Sequence, residues 1–201
     1  MATKKIANPQ DIYQIKVTLL GTDPPIWRRL LVPAALTLAQ LHDVVQTAMG
    51  WQNGHMHEFR AGQRYFGKPD PDDRSMGMDP VENERTARLS EVLRKNGPKL
   101  IYTYDLGDSW EHAIVLEKHL PVDSNASYPV CTDGQLACPP EDCGGIPGFY
   151  DLADALADPK HKQHKELRDW LGYYFDPLAF SIDSVNQMLL PDRRRGKAPR
   201  K

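Results

Sequence analysis

The sequence predicts an α+β domain with a mostly antiparallel sheet, one capped helix after the first hairpin and a helical C-terminal third. Three observations lead there. The front of the chain alternates apolar and polar residues at the two-residue period of a strand, a second hairpin pattern stands near residue 105, and helical periodicity gathers at 38–49 and beyond 149. Strands and helices do not alternate often enough for a doubly wound parallel sheet.

Tyr13-Gln-Ile-Lys-Val-Thr-Leu19 alternates strictly, as a strand with one wet face does. Gly21-Thr-Asp-Pro-Pro25 breaks the ladder, and Ile26 to Val32 returns as a second strand ended by Pro33. From Leu38 to Met49 the apolar residues Leu38, Leu41, Val44, Val45, Ala48 and Met49 share one helical face. Thr37 and Gln40 have the spacing of a capping box, and Gly50 suits a left-handed stop. His55 to Phe59 reads as a short strand with Gln63 to Phe66 beside it. Residues 67–85, rich in Asp, Pro and Gly, read as a long loop or lid. Leu89 to Leu93 reads as one or two helical turns capped by Ser90. Leu100–Tyr104 and Trp110–Leu116 form the second hairpin around Asp105-Leu-Gly-Asp-Ser109. Residues 121–147 read as irregular, and helices follow at 149–157, 164–171 and 182–190, parted by Asp158-Pro159 and Asp176-Pro177.

A chain of 201 residues with 40% hydrophobic and 26% charged residues is expected to hold one domain with its own core. The expected organisation is a disordered N-terminus at 1–10, one domain at 11–190 and a disordered basic tail at 191–201. The net charge of -2 gives no strong field toward nucleic acid or anionic membranes; the tail, with Arg193, Arg194, Arg195, Lys197, Arg200 and Lys201, offers weak nucleic-acid contact at most. No apolar run is long enough for a membrane span and no secretory core follows the N-terminus, so a cytoplasmic location is expected. An odd set of three cysteines fits a reducing compartment.

Six segments, in order, carry a resemblance: Pro24-Pro-Ile-Trp-Arg-Arg29, Leu41-His42, Ala48-Met-Gly-Trp51, His55-Met-His-Glu-Phe59, Tyr102-Thr-Tyr-Asp-Leu-Gly-Asp108 with Trp110 and His112, and Pro139-Pro-Glu-Asp-Cys-Gly-Gly145. Together they resemble the bacterial and archaeal plasmid pRiA4b ORF-3-like family over residues 11–190. The resemblance implies a compact α+β domain and no established activity. Members are sometimes labelled resolvase-like, but no nucleophilic serine with an arginine cluster occurs here on one predicted element.

Two clusters could carry chemistry. Cys131, Cys138 and Cys143, spaced Cys-x6-Cys-x4-Cys, could hold a structural zinc with His112 as fourth ligand; the bland reading is three reduced, partly buried thiols. His55 and His57, two apart on a strand, face one side, and with Asp105, Asp108 and the Glu141-Asp142 pair would make a metal-assisted hydrolase or nuclease site. Against that, Asp105 and Asp108 are ordinary turn formers and His112 shares a core face with Trp110 and Ile114. Trp27, Trp51, Tyr102, Tyr104 and Trp110 are either a stacking platform or packing, and Arg28 and Arg29 either phosphate contacts or a solvated face. No Gly-rich phosphate loop, nucleophile elbow or dinucleotide fingerprint is present. The expected function is therefore a non-enzymatic binding module for an unidentified protein or nucleic-acid partner, with a metal-dependent hydrolase as the alternative.

Overall fold

The computed structural model describes residues 11–69 and 81–190. The expectations for 1–10, for the tail at 191–201 and for most of the 67–85 loop lie outside the described residues. Those described form eight strands and five helices. The strands are β1 (Ile12–Leu19), β2 (Trp27–Pro33), β3 (His57–Ala61), β4 (Arg64–Gly67), β5 (Glu82–Asn83), β6 (Lys99–Tyr104), β7 (Trp110–Leu120) and β8 (Val130–Gln135). The helices are α1 (Leu38–Met49), α2 (Leu89–Asn96), α3 (Gly145–Ala157), α4 (His164–Leu171) and α5 (Ile182–Leu189).

All strands join one sheet in the order β5-β4-β3-β6-β7-β1-β2-β8, antiparallel throughout except for the β4–β5 pair. The two hairpins recognised in sequence meet at its centre, where β7 pairs with β1 and Leu19 stands opposite His112. The inward positions of β1 and β2 follow the alternation: Ile15, Val17, Leu19, Leu30 and Val32 are buried.

Helix α1 covers this sheet. Its capping box forms, with the Thr37 hydroxyl accepting from the Gln40 backbone and the Gln40 side chain returning to the Thr37 N–H, and Gly50 closes it in the left-handed region at φ 95°. The helix runs from β6, where His42 and Gln46 reach Tyr102, to β2, where the Arg28 guanidinium bonds the Ala48 carbonyl at 3.0 Å. Arg28 is thus neither a solvated side chain nor a phosphate contact. It is 3% exposed, lies across the Phe180 ring, and also donates to the carbonyls of Trp27 and Gln135. A buried cation is stable there because it meets the carbonyl-rich end of α1. Its neighbour Arg29 points outward to Glu117 and Asp133, beside Trp27.

Several boundaries differ from the sequence reading. Residues 130–135, read as irregular, add an edge strand to β2, because Cys131 buries its side chain opposite Leu30 although Gly134 blurs the alternation. Helix α2 begins after Arg88, not at a Ser90 cap. After β8, three helices share the chain with irregular stretches at 158–163 and 172–181.

Candidate functional site

The polar site lies where three segments meet at one end of β6 and β7: residues 50–55 after α1, the turn at 105–109, and the loop at 139–145. The turn is folded by its own acids. Asp105, at φ 54°, accepts the Gly107 and Asp108 N–H groups on Oδ1 at 2.9 and 3.3 Å. Asp108 Oδ2 accepts the Gly144 N–H at 3.1 Å, which ties the turn to the loop. A Cβ on Gly145 would stand 2.7 Å from the Asp108 carbonyl, so only glycine permits this approach.

Further bonds fix the loop from the other side. The Trp51 indole donates to the Pro139 carbonyl at 3.0 Å, and Glu141 accepts from the Gln52 N–H and the Tyr104 hydroxyl. The Gly54 N–H donates to that same hydroxyl at 2.9 Å. Burial, with the Glu141 carboxylate beside it, drives the Tyr104 pKa upward, so the phenol keeps its proton and acts as donor.

His55 stands between two carboxylates. Its Nδ1 is 3.5 Å from Asp105 Oδ2 and its Nε2 is 3.2 Å from Asp142 Oδ1. One ligand atom from each of the three residues can be chosen so that all lie within 4.8 Å of one another, and among the described residues this is the one group of three or more His, Cys, Asp or Glu to do so. His57 does not join it. The strand begins at His57, so the two histidines do not alternate on a common pleat; His57 turns to Glu84, 2.7 Å away, and stacks on His42. Asp108 serves Gly144.

The cysteines are placed differently. The Cys131 thiol donates to the Asp133 carbonyl at 3.3 Å on β8, while Cys138 and Cys143 pack against the core. Burial raises the pKa of each thiol, that of Cys143 to about 12. His112 is fully buried on β7 between Tyr102 and the edge of Trp51; its Nδ1 faces the Tyr102 carbonyl at 3.4 Å. Neither its Nε2 nor the Trp110 Nε1 finds a hydrogen-bond partner among the described residues. The aromatics Trp51, Tyr102, Tyr104 and Trp110 are core, which leaves Trp27 as the part-exposed member of that set.

Beside the group lies a cleft of about 370 Å³ between the end of α1, the 139–142 loop and α4, lined by Trp51, Pro139, Glu141, Asp142, Trp170 and Tyr173 among others. Sequence reasoning missed Trp170 and Tyr173. They are 50% and 58% exposed, and the signal that could have found them is an aromatic pair flanking the Leu171-Gly172 helix stop.

One large, nearly antiparallel sheet carrying a loop-walled polar site at one end makes this an α+β fold. The profile of the plasmid pRiA4b ORF-3-like protein family matches residues 11–184, and the chain belongs to that family. It is similar to the uncharacterized protein y4hQ of Sinorhizobium fredii, 37% identical over 177 residues that cover 88% of this chain and 89% of the relative. Its fold is similar to the crystal structure of the protein of unknown function MM3350 from Methanosarcina mazei Go1, with a TM-score of 0.79 and 34% identity over 89% of this chain and 99% of that one.

Proposed function

We propose that the protein is a non-enzymatic binding module that takes a polypeptide segment of mixed basic and apolar character into the cleft beside α4. The observation that supports this is the cleft itself: the exposed aromatic rings of Trp170 and Tyr173 line one side, and the lining carries Glu141 and Asp142 but no Lys or Arg. Exposed aromatics of this size bind by burying their rings, and the acidic rim selects for lysine or arginine beside the buried group. Among the described residues no helix is long and apolar enough to cross a membrane.

The test is peptide selection on the full chain from a random display library. Enriched peptides are expected to pair apolar with basic residues, and to lose at least about tenfold in affinity to Trp170→Ser or Tyr173→Ser, the loss typical of an aromatic contact that dominates an interface. Selection that yields no peptide sensitive to these two changes would sink the reading.

A second reading, a metal-dependent hydrolase, is favoured by the convergence of His55, Asp105 and Asp142. It requires phosphodiester or ester hydrolysis that appears with added divalent metal and disappears in His55→Ala.

A further inference from the structure

We propose that His55, Asp105 and Asp142 form a divalent-cation site of the zinc or manganese class, which joins the segment after α1, the β6–β7 turn and the 139–145 loop. This imidazole–carboxylate set is distinct from the Cys131, Cys138, Cys143 and His112 set expected from the sequence.

Charge is the first argument. Two carboxylates face one imidazole, and among the described residues neither Asp105 nor Asp142 forms an ion pair with lysine or arginine. Carboxylate oxygens and an imidazole nitrogen are the donor set that a zinc or manganese dication takes.

Geometry is the second. Ligand atoms about 2.1 Å from a common ion lie up to about 4.2 Å apart. The 3.2 Å gap between His55 Nε2 and Asp142 Oδ1 already fits; Asp105 Oδ2 faces the other ring nitrogen, Nδ1, at 3.5 Å, so the ion takes one imidazole nitrogen and the carboxylate on the far side swings toward it, one ligand atom from each residue lying within 4.8 Å of the others.

Orientation is the third. Asp105 Oδ1 is held by two backbone N–H groups while Oδ2 faces the histidine, the outer support that metal-binding carboxylates have. The loop bearing Asp142 is fixed independently through Pro139, Glu141 and Gly144. Asp142 is 68% exposed, so a bound ion keeps positions open to solvent or to a ligand in the adjoining cleft.

The inference rests on the hydrolase reading; it shares Asp142 with the peptide-binding one, so added metal should weaken basic-peptide binding while metal-free protein keeps it. Chelator-treated full-length protein is titrated with Zn2+ and Mn2+ by calorimetry, and with Co2+ by visible absorption. One ion per chain is expected, with a cobalt spectrum lacking thiolate charge-transfer bands. His55→Ala and Asp142→Asn should each weaken binding by at least about tenfold. Asp142→Asn alters an exposed side chain and so keeps the test intact if His55→Ala fails to fold; Asp151→Asn, exposed on α3, should change nothing. Absence of binding at millimolar ion, binding unaffected by either site variant, or a thiolate band placing the metal on the cysteines would each overturn the proposal. Peptide affinity that persists without metal would then leave the binding reading standing and remove the hydrolase one.

Discussion

His42 and His57 lie face to face, their ring centroids 3.5 Å apart and their planes 7° from parallel. The stack works because the two rings have different partners. His57 meets the Glu84 carboxylate at 2.7 Å, while His42 belongs to a closed circuit of neutral hydrogen bonds. His42 Nε2–H donates to Asn53 Oδ1 at 2.7 Å, the Asn53 N–H donates to Gln46 Oε1, the Gln46 amide donates to the Tyr102 hydroxyl, and that hydroxyl donates to His42 Nδ1 at 2.7 Å. The tautomer is assigned from the partners, since the Asn53 oxygen can only accept. Burial, reinforced by any charge on His57, lowers the His42 pKa and keeps that ring neutral. Burial pushes the Glu84 pKa up, but its hydrogen bond to His57 and the nearby His57 and Arg85 leave it below the usual value.

The circuit predicts the effect of removing one hydroxyl. Tyr102→Phe leaves the His42 Nδ1 lone pair and one Gln46 amide hydrogen buried without partners. Each such group costs about 1–3 kcal/mol, so a loss of about 2–6 kcal/mol is expected in urea unfolding followed by circular dichroism. A loss under about 0.5 kcal/mol, the scatter of ordinary surface changes, would show that the circuit contributes nothing.

Acid stability follows from the buried imidazoles. Burial holds the His112 pKa at about 4 instead of the usual 6.5. The unfolded chain binds this proton between those values and the folded chain does not, so stability is full above about pH 6.5 and falls as the pH drops toward 4. The expected loss is of the order of 3 kcal/mol, and neutral His42 adds to it in the same direction. The carboxylates with lowered pKa, Glu82, Glu84 and Glu117, lose their contribution only at lower pH, as it falls past their usual 4.5. The urea midpoint, measured from pH 7.5 to 4.5, should decline, and His112→Phe should flatten part of the decline. A midpoint constant over that range would remove the account.

The sequence shows the hairpins and α1 because each is a local pattern: strict alternation, a capping box, a glycine stop. It hides what depends on convergence. Arg28 and Arg29 look alike in sequence, yet strand register buries one against the end of α1 and sends the other to Glu117. His55 and His57 look like a pair, yet the strand starts between them, and Asp142 replaces His57 in the group. The turn acids of the second hairpin point to Asp105, but Asp142 shows in sequence only as half of an acidic pair, because no local rule says which loop reaches which turn.

The thiols should resist alkylation. Cys131 is buried, and burial drives the Cys143 pKa to about 12 and that of Cys138 higher still, so little thiolate exists at neutral pH. Iodoacetamide at pH 8 should label the native protein slowly and the urea-unfolded protein quickly, as read by mass spectrometry. Rapid labelling of Cys138 or Cys143 in the native state would mean that the 139–145 loop opens readily.

The same loop makes a sharp demand on glycine. A Cβ at Gly148 would stand 1.8 Å from the Cys143 carbonyl oxygen, a backbone atom that cannot rotate away. Gly148→Ala must therefore push the first turn of α3 off the loop, although alanine is the better helix former by about 1 kcal/mol. Overpacking against backbone should outweigh that gain, with a net loss of about 1–2 kcal/mol and a lower melting temperature. Gly54→Ala is the control: nothing lies within 4 Å of its added Cβ and its φ is outside the left-handed range, so its melting temperature should stay near that of the parent protein. If Gly148→Ala melts no lower than that control, the close passage of α3 over the 139–145 loop, and with it the fixed position of Asp142, is not how the protein is built.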